Sequence, residues 1–395
     1  MTEPLKKGWC PGALKPMLSG DGWIIRIRPQ FGYLSAFQMA EIAALAEKYG
    51  NGLIDCSTRA NLQIRGVREE NCSSLVEELK SLDLIDPTIA VENSRNVVVS
   101  PFLQSSEAGE LFTRLKTLFL MEHPILTALP PKFGYALDCG ERRFLAEDPA
   151  DIRIERTVNG ELIIRPDGCE HGKRTSLDQL EQDILGIADL FNKADKSGFP
   201  SLRMRYLDEK EIFKRQQAEL SAPISSASKP PVGRIKNDVL AGIEFGRLEA
   251  NTLASLARLC SGVRMTPWKQ LLLLDCELER LQQKKLPGIL LDNEDPHLRI
   301  AACTGAPACS QARLDTRNLA RELAADLPKD ADLLVSGCIK QCSGKKENFD
   351  FSVVSETDGV SVYVSGKKTD PAEKGSSASW IYKNIKFGRD KRGDV

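Results

Sequence analysis

Two pairs of cysteines near the C-terminus constrain this chain more than any other feature. Cys303 and Cys309 enclose five residues, and Cys338 and Cys342 enclose three. The residues around both pairs are mostly small, so backbone amides can approach the sulfur atoms and donate hydrogen bonds to them. The intervening sequence predicts a helix over 311–325 and a short buried strand over 332–336. Four thiolates in such surroundings suit an iron–sulfur cluster.

Three other interpretations of these cysteines stay open from spacing alone. A structural zinc site is one, although zinc pairs favour a tighter Cys-x-x-Cys spacing. A pair of disulfides is another, but nothing in the sequence marks the chain as secreted. Unrelated buried thiols are the third. The spacing and the small neighbours favour the cluster over all three.

Composition limits the remaining classes of function. The chain has 395 residues, of which 42% are hydrophobic and 28% charged, as in a globular protein of two or three domains. Its net charge of −1 gives no reason to expect a nucleic acid or membrane partner. The N-terminal residues do not read as a signal peptide, and no apolar run is long enough to span a bilayer. The eleven cysteines show no pattern of disulfide pairing, which suits a reducing cytoplasm. With only three histidines, a metal site built on several imidazoles is nearly excluded.

The chain repeats a segment of itself. Residues 31–34, Phe-Gly-Tyr-Leu, recur as Phe-Gly-Arg-Leu at 245–248, an offset of 214. A helix capped by Ser35 and Gln38 and ending at Gly50 follows the first copy, and its apolar positions recur in the second. Thr58 is expected to correspond to Thr266. Two strand–helix–strand units predict a pseudo-two-fold fold with a ligand between the halves.

A donor-rich segment follows the first predicted helix. Every second residue from 57 to 65 is polar, and none is acidic. If this segment is a strand, one face presents two arginines and three neutral polar groups, which favours binding of a ligand with several carboxylates. The residues are Ser57, Arg59, Asn61, Gln63 and Arg65. Arg26 and Arg28 share a face of an earlier strand, which by itself is typical of a solvated sheet.

Together these motifs resemble the nitrite/sulfite reductase superfamily from about residue 8 to 366. The family's cluster-ligating cysteines match Cys303, Cys309, Cys338 and Cys342, so the resemblance implies a 4Fe-4S cluster on these four residues. In the family's sirohaem enzymes the last cysteine, here Cys342, also bridges to the haem iron. The family's Thr-Arg-x-x-x-Gln, Ser-Arg-Asn-Val and Leu-Pro-x-Lys-Phe segments match 58–63, 94–97 and 129–133.

The resemblance implies an α+β fold with duplicated ferredoxin-like half-domains, related by a pseudo-two-fold, and a 4Fe-4S-binding C-terminal α/β part. The predicted parts are a first half-domain (1–125), a central cofactor- and substrate-binding part (126–220), a linker (221–236), a second half-domain (237–300), the cluster-binding part (301–366) and a polar tail (367–395).

Within the superfamily, segments 9–13, 19–22, 51–55 and 304–307 look most like the branch that acts on precorrin-3A in aerobic cobalamin biosynthesis. Gly134 stands where the reductases carry a second lysine. The likeness implies a monooxygenase that hydroxylates this tetrapyrrole polycarboxylate at C20 with O2 and closes a γ-lactone. It also implies a second iron, as non-haem iron or as sirohaem, besides the cluster. No nicotinamide or flavin fingerprint is present, so an external electron donor protein is expected.

The resemblance also assigns roles. Arg59, Arg95 and Lys132 are expected to be catalytic, and Asn61, Gln63 and Arg65 to bind cofactor, with the cations gripping carboxylates. Two other functions remain open: a sirohaem-dependent sulfite or nitrite reductase, and an electron-transfer iron–sulfur protein without tetrapyrrole chemistry. A zinc-stapled binding module comes last.

Overall fold

A computed structural model describes residues 11–103, 105–194, 203–207 and 220–369, together with 379 and 381. The predictions for segment 9–13 and for the tail therefore lie partly outside the described residues. Within them the fold is of mixed α+β class, as the sequence predicted. No described helix combines the length and the apolar character that crossing a membrane requires.

The elements are numbered in chain order. The helices are α1 Ala36–Tyr49, α2 Cys72–Ser81, α3 Ile89–Ser94, α4 Ser105–Leu120, α5 Pro124–Thr127, α6 Leu177–Lys193, α7 Ala250–Ala257, α8 Leu278–Lys284 and α9 Thr316–Ala324. The strands are β1 Met17–Ser19, β2 Gly22–Ile27, β3 Tyr33–Ser35, β4 Leu53–Cys56, β5 Leu62–Val67, β6 Val97–Val99, β7 Tyr135–Asp138, β8 Ile152–Arg156, β9 Leu162–Pro166, β10 Gly172–Arg174, β11 Leu220–Ser221, β12 Gly233–Ile235, β13 Asp238–Ile243, β14 Arg247–Glu249, β15 Gly262–Met265, β16 Gln270–Leu274, β17 Ile289–Leu290, β18 Ile300–Ala302, β19 Leu333–Ser336, β20 Phe351–Glu356, β21 Gly359–Val364 and β22 Lys367–Lys368.

The two half-domains exchange a strand with each other. The first sheet has the order β1-β2-β5-β4-β14, and the second β12-β13-β16-β15-β3. Leu34 of β3 therefore lies opposite Val263, while Leu248 of β14 lies opposite Ile54. Helices α1 and α7 pack against each other, and the buried side chains of both halves form one core. Since each half completes the other's sheet, the repeat builds a single structural unit.

The first helix begins and ends where its sequence predicts. Ser35 Oγ accepts from Gln38 N at 3.2 Å, and Gln38 Oε1 accepts from Ser35 N at 3.1 Å, which forms the predicted capping box. The helix ends at Gly50, and its inward face buries Met39 and Ile42 completely. This face supplies the apolar contact between the two halves.

Two further sheets flank this unit. The first, which we call the central part and which includes β6 and α4 in addition to β7 to β11, has six strands in the order β11-β10-β9-β8-β7-β6, covered by α4, α5 and α6. The C-terminal part has five strands in the order β18-β19-β20-β21-β22, with α9 connecting the parallel strands β18 and β19. Each part has its own apolar core.

Two local predictions differ from the structure, and the predicted linker has paired ends. The helix predicted over 311–325 is shorter, because Asp315 caps it and Cys309 and Leu314 carbonyls bond within the preceding loop. The segment predicted as a linker, 221–236, is paired at both ends, in β11 and β12. The polar strand predicted from Ser57 begins only at Leu62.

A tight turn explains the late start of that strand. Ser57 Oγ accepts from the amides of Arg59 at 3.3 Å and Asn61 at 3.2 Å, and Ala60 is left-handed at φ 55°. Only Gln63 and Arg65 of the five polar residues therefore lie on a strand.

The second copy contains the same turn, which corrects the register of the repeat. Thr266 Oγ1 accepts from the amides of Trp268 and Gln270, both at 3.2 Å, and Lys269 is left-handed at φ 58°. Thr266 thus corresponds to Ser57 rather than to Thr58. The offset falls to 209 here because the second copy has a shorter helix, α7, than the first.

Candidate functional site

The two cysteine pairs lie on neighbouring loops. Cys303 and Cys309 follow β18, and Cys338 and Cys342 follow β19. These strands are parallel neighbours, so both loops leave the same edge of the sheet. Cys303 N donates to Val335 O at 3.2 Å, which ties the loops together. The topology therefore places both cysteine pairs at one edge of this sheet.

Small residues shape the backbone around the sulfur atoms. Gly337 N donates to Cys303 Sγ at 3.3 Å, as expected for an amide that stabilises a thiolate. Thr316 Oγ1 donates to Cys303 O at 2.7 Å. A Cβ on Gly305 would lie 2.4 Å from Thr316 Oγ1, and one on Gly337 would lie 2.6 Å from Ala312 Cβ. Neither glycine has room for a side chain.

The cysteines of the two pairs influence one another electrostatically. Burial raises the pKa of the Cys338 thiol, and the charges of Cys309 and Cys303 raise it further. Burial likewise raises the pKa of Cys342, with further increases from the other three cysteines and an opposing effect of Lys340. The four thiols therefore lie close enough to influence one another's ionisation.

The chemistry of this donor set suits a 4Fe-4S cluster. In a 4Fe-4S cube each thiolate binds a different iron, so the four sulfurs are spread more widely than around one ion. Four sulfurs, an amide donor and two glycines without room for side chains suit the cube.

A buried charged network, which we call the Asp55 network, lies beside this region. Asp55 accepts from Arg247 Nε at 2.7 Å, from Arg65 Nη1 at 3.1 Å and from Arg317 Nη2 at 3.2 Å. Arg65 also contacts Asp21 at 2.7 Å. Burial alone would raise the pKa of Asp55, but the three arginines outweigh it and hold that pKa below its ordinary value.

The Asp55 network joins three parts of the fold. Asp55 and Arg65 belong to the first half-domain, Arg247 to the exchanged strand of the second, and Arg317 to helix α9. Arg65 Nη2 also donates to Ala308 O at 3.3 Å, in the loop between the first two cysteines. The carboxylate therefore ties both half-domains to the cysteine-bearing part.

A cavity of about 490 Å³ opens next to the cysteine loops. Thr58 and Lys269, from the two related turns, line this cavity. Ser343, directly after Cys342, and Phe349 line it as well. The cavity therefore lies where the repeat meets the cysteine-bearing part.

The three non-cysteine motifs that resemble the reductases meet at one place. Arg59 Nη2 donates to Lys132 O at 3.1 Å, and Asn96 Nδ2 donates to Phe133 O at 3.1 Å. A Cβ on Gly134 would lie 3.7 Å from Arg59 Nη1. The position that carries a second lysine in the reductases is therefore beside the Arg59 guanidinium. Lys132 is exposed and Arg59 half-buried, so both cations are accessible.

Other predicted site residues are engaged by the protein itself. Arg95 binds Asp86 in a bidentate pair at 2.7 and 3.1 Å and donates to Arg28 O. Arg65 is 2% exposed within the Asp55 network. Gln63 Oε1, in the orientation that accepts, receives two bonds from Arg26 at 2.6 and 3.0 Å. The catalytic role predicted for Arg95, like the cofactor-binding roles predicted for Arg65, Gln63 and the buried Asn61, stays a prediction.

Sequence reasoning missed four residues of this region: Asp55, Arg247, Arg317 and Lys269. Arg247 was part of the repeat motif itself, and Lys269 falls on Ala60 once the register is corrected. Asp55 ends the motif at 51–55, but it is 262 positions from Arg317, so only the tertiary contact reveals that the two residues meet.

Comparison with known proteins agrees with this arrangement. A family model described as the nitrite/sulfite reductase ferredoxin-like half domain matches residues 15–82. Precorrin-3B synthase of Sinorhizobium sp is 28% identical over 392 residues, which cover 92% of this chain and 83% of that protein. Ferredoxin–nitrite reductase of Synechococcus elongatus is 24% identical over 432 residues, with the same two coverages.

The Mycobacterium tuberculosis NirA protein has a similar fold, with a TM-score of 0.65 at 17% identity over 91% of this chain and 79% of that one. Residues 15–82 are thus similar to a nitrite/sulfite reductase ferredoxin-like half domain, and the chain as a whole resembles both precorrin-3B synthase and ferredoxin–nitrite reductase.

Proposed function

We propose that this chain is an oxidoreductase of the precorrin-3B synthase type, a monooxygenase that converts precorrin-3A to precorrin-3B. The observation that carries the proposal is the meeting of Arg59, Lys132 and Gly134 in a chain that otherwise keeps the reductase motifs. The likeness to precorrin-3B synthase over 92% of the chain supports the same assignment.

The accessible cations suit a polycarboxylate. Arginine binds a carboxylate through two parallel hydrogen bonds, and lysine acts as a point charge. Arg59 and Lys132 would each hold a carboxylate at the edge of the macrocycle. Arg95, which is held by its ion pair with Asp86, would add positive charge near Arg59 and Lys132. The glycine at 134 leaves out the second lysine that the reductases use toward a small oxyanion, which favours a substrate with its own distributed charges.

Cys303, Cys309, Cys338 and Cys342 would hold a 4Fe-4S cluster, which when bound supplies one-electron transfer. The overall reaction needs O2 and two electrons with two protons. One oxygen atom enters the product, which acquires the C20 hydroxyl and the γ-lactone, and the other leaves as water. The electrons come from an external donor protein. A second iron, as non-haem iron or sirohaem, belongs to the proposal without assigned protein ligands.

A sirohaem-dependent nitrite or sulfite reductase is the second candidate. The similarity to ferredoxin–nitrite reductase over 92% of the chain favours it. This function requires the same four cysteines. The tetrapyrrole macrocycle would then be a bound cofactor, whereas in the first proposal it is the substrate.

One experiment separates the two. The purified protein is examined anaerobically by visible spectroscopy, with iron and acid-labile sulfide counted. About four sulfides per chain, a broad sulfur-to-iron band and no sharp red bands, followed by O2-dependent turnover of precorrin-3A, are expected. Sharp macrocycle bands with reduction of nitrite or sulfite, and no reaction with precorrin-3A, would overturn the proposal.

A further inference from the structure

The Asp55 network carries more positive than negative charge. Three arginines surround Asp55, and Asp21 is the second carboxylate, bound to Arg65. Lys269 lies close enough to interact with both Asp55 and Arg317. Four cations therefore share two carboxylates in a largely buried place, an excess that a protein interior tolerates only where it meets an opposing charge.

The proposed cluster would supply the opposing charge, on the side of the cysteines. Arg317 follows Thr316, whose side chain bonds to Cys303 O at 2.7 Å. Thr316 is also the first residue of helix α9, and its amide nitrogen lies close to Gly305 in the first cysteine loop. A Cβ added to Gly305 would lie only 2.8 Å from that nitrogen. The positive end of a nine-residue helix thus adjoins the first cysteine loop.

Lys269 approaches from the other half-domain. Lys269 has a left-handed backbone, and its side chain packs closely against Gly246 of the second copy. A Cβ added to Gly246 would lie only 3.1 Å from Lys269 Cγ and Cδ. It also lines the cavity that Ser343 borders next to Cys342. Burial and the charge of Arg317 lower the pKa of Lys269 to about 8, while Asp55 and Cys303 raise it. Its ammonium remains mostly protonated at neutral pH.

From this geometry we infer that Lys269, Arg317 and the N-terminus of α9 form a positive counter-charge that raises the reduction potential of the cluster held by the four cysteines. The inference rests on the proposed cluster. Reduction adds an electron to a group that already carries four thiolate charges, so a nearby cation stabilises the reduced form more than the oxidised form. In this inference Lys269 and Arg317 act through their positive charge.

Lys269 offers the sharpest test because its charge can be removed without opening the ion pairs of Asp55. The full-length protein with its cluster is titrated with redox mediators under anaerobic conditions, and reduction is followed by electron paramagnetic resonance. Lys269→Met is expected to lower the ratio of reduced to oxidised cluster at fixed potential at least tenfold, a shift of about 59 mV for one electron. Lys269→Arg is expected to stay within threefold of the wild type.

Two further variants complete the test. Lys285→Met is the matched control, because Lys285 also has a left-handed backbone, at φ 45°, but lies at the end of α8. This variant should leave the reduction potential of the cluster unchanged. Asp21→Asn removes a partly exposed carboxylate from the network and should shift the potential in the positive direction.

An unchanged potential in Lys269→Met with full iron content would overturn the inference. If Lys269→Met fails to retain its cluster, the absence of a positive shift in Asp21→Asn would overturn it instead. A wild-type protein that contains no cluster would refute the proposed function itself. A cluster whose reduction potential is the same in the wild type, Lys269→Met and Asp21→Asn would refute only this inference.

Discussion

Phe31 and Phe245 occupy the same position of the repeat but insert into different parts of the molecule. Both are left-handed, at φ 49° and 51°. Phe31 stacks on Phe112 of the central part, with ring centroids 4.3 Å apart and nearly parallel planes. Phe245 is buried in the C-terminal core, edge-on to His297. One local geometry therefore attaches each flanking part to the duplicated unit.

Replacing Phe245 with alanine is expected to loosen the cysteine-bearing part selectively. Loss of a buried phenylalanine costs about 3–5 kcal/mol of unfolding free energy. Hydrogen exchange of amides in β18–β20 should accelerate, while exchange in β7 and β8 stays near the wild type. Phe31→Ala is the matched variant and should reverse the pattern, with a smaller effect because Phe31 is only partly buried. Equal acceleration in both parts for either variant would contradict this view.

Asp55→Asn is expected to destabilise the protein strongly. The change leaves the buried Arg65 and Arg317 and the partly buried Arg247 without their common carboxylate, and breaking a buried ion pair in this way costs about 3–5 kcal/mol. Urea unfolding followed by fluorescence measures the loss. Asp326→Asn, at an exposed position after α9, is the control and should change stability by less than about 0.5 kcal/mol.

The same carboxylate predicts an acid dependence. The pKa of Asp55 is lower in the folded protein than in the unfolded chain, where it is about 3.9. Its contribution is therefore fully present above that value and is lost as the pH falls further toward the folded-state pKa. Between pH 5 and 2 the wild type should lose more unfolding free energy than Asp55→Asn. Parallel losses in the two proteins would show that Asp55 does not contribute.

Arg59→Ala is expected to impair substrate binding without affecting the cluster. A charge-assisted hydrogen bond is worth about 1.5–3 kcal/mol, so KM for precorrin-3A should rise roughly 10- to 150-fold, or turnover should be lost. The visible spectrum and the iron content should match the wild type. Arg68→Ala removes an exposed arginine of the same half-domain and should leave KM unchanged. Loss of the cluster in Arg59→Ala would contradict the assigned role.

Cys338→Ser is expected to abolish cluster assembly. Serine oxygen is a poorer ligand for iron than thiolate sulfur, and the cube needs all four positions. Iron and sulfide counts should fall close to zero. Cys72→Ser, a change at a partly exposed cysteine at the start of α2, should retain the full content. Equal iron content in the two variants would exclude Cys338 as a ligand.

Local sequence was sufficient for several elements. The capping box at Ser35 and the stop at Gly50 depend on residues a few positions apart, and each lies where predicted. The repeat of Phe31 at 245 was equally visible, because duplicated structure preserves the same backbone requirements. The two cysteine pairs needed only their spacing and their small neighbours to indicate a cluster.

The tertiary structure decided what those elements do together. The exchange of β3 and β14 between sheets leaves no periodic signal, because each strand pairs with a chain segment about 200 residues away. The turn at Ser57 overrode an alternating polar pattern, since a side-chain oxygen that satisfies two amides competes with strand pairing. Asp55 and Arg317, 262 positions apart, meet only because the half-domains and helix α9 converge. Sequence thus determined the donors and the repeat, whereas the burial of charge between three parts of the fold, a property of long-range packing, was set by the tertiary structure alone.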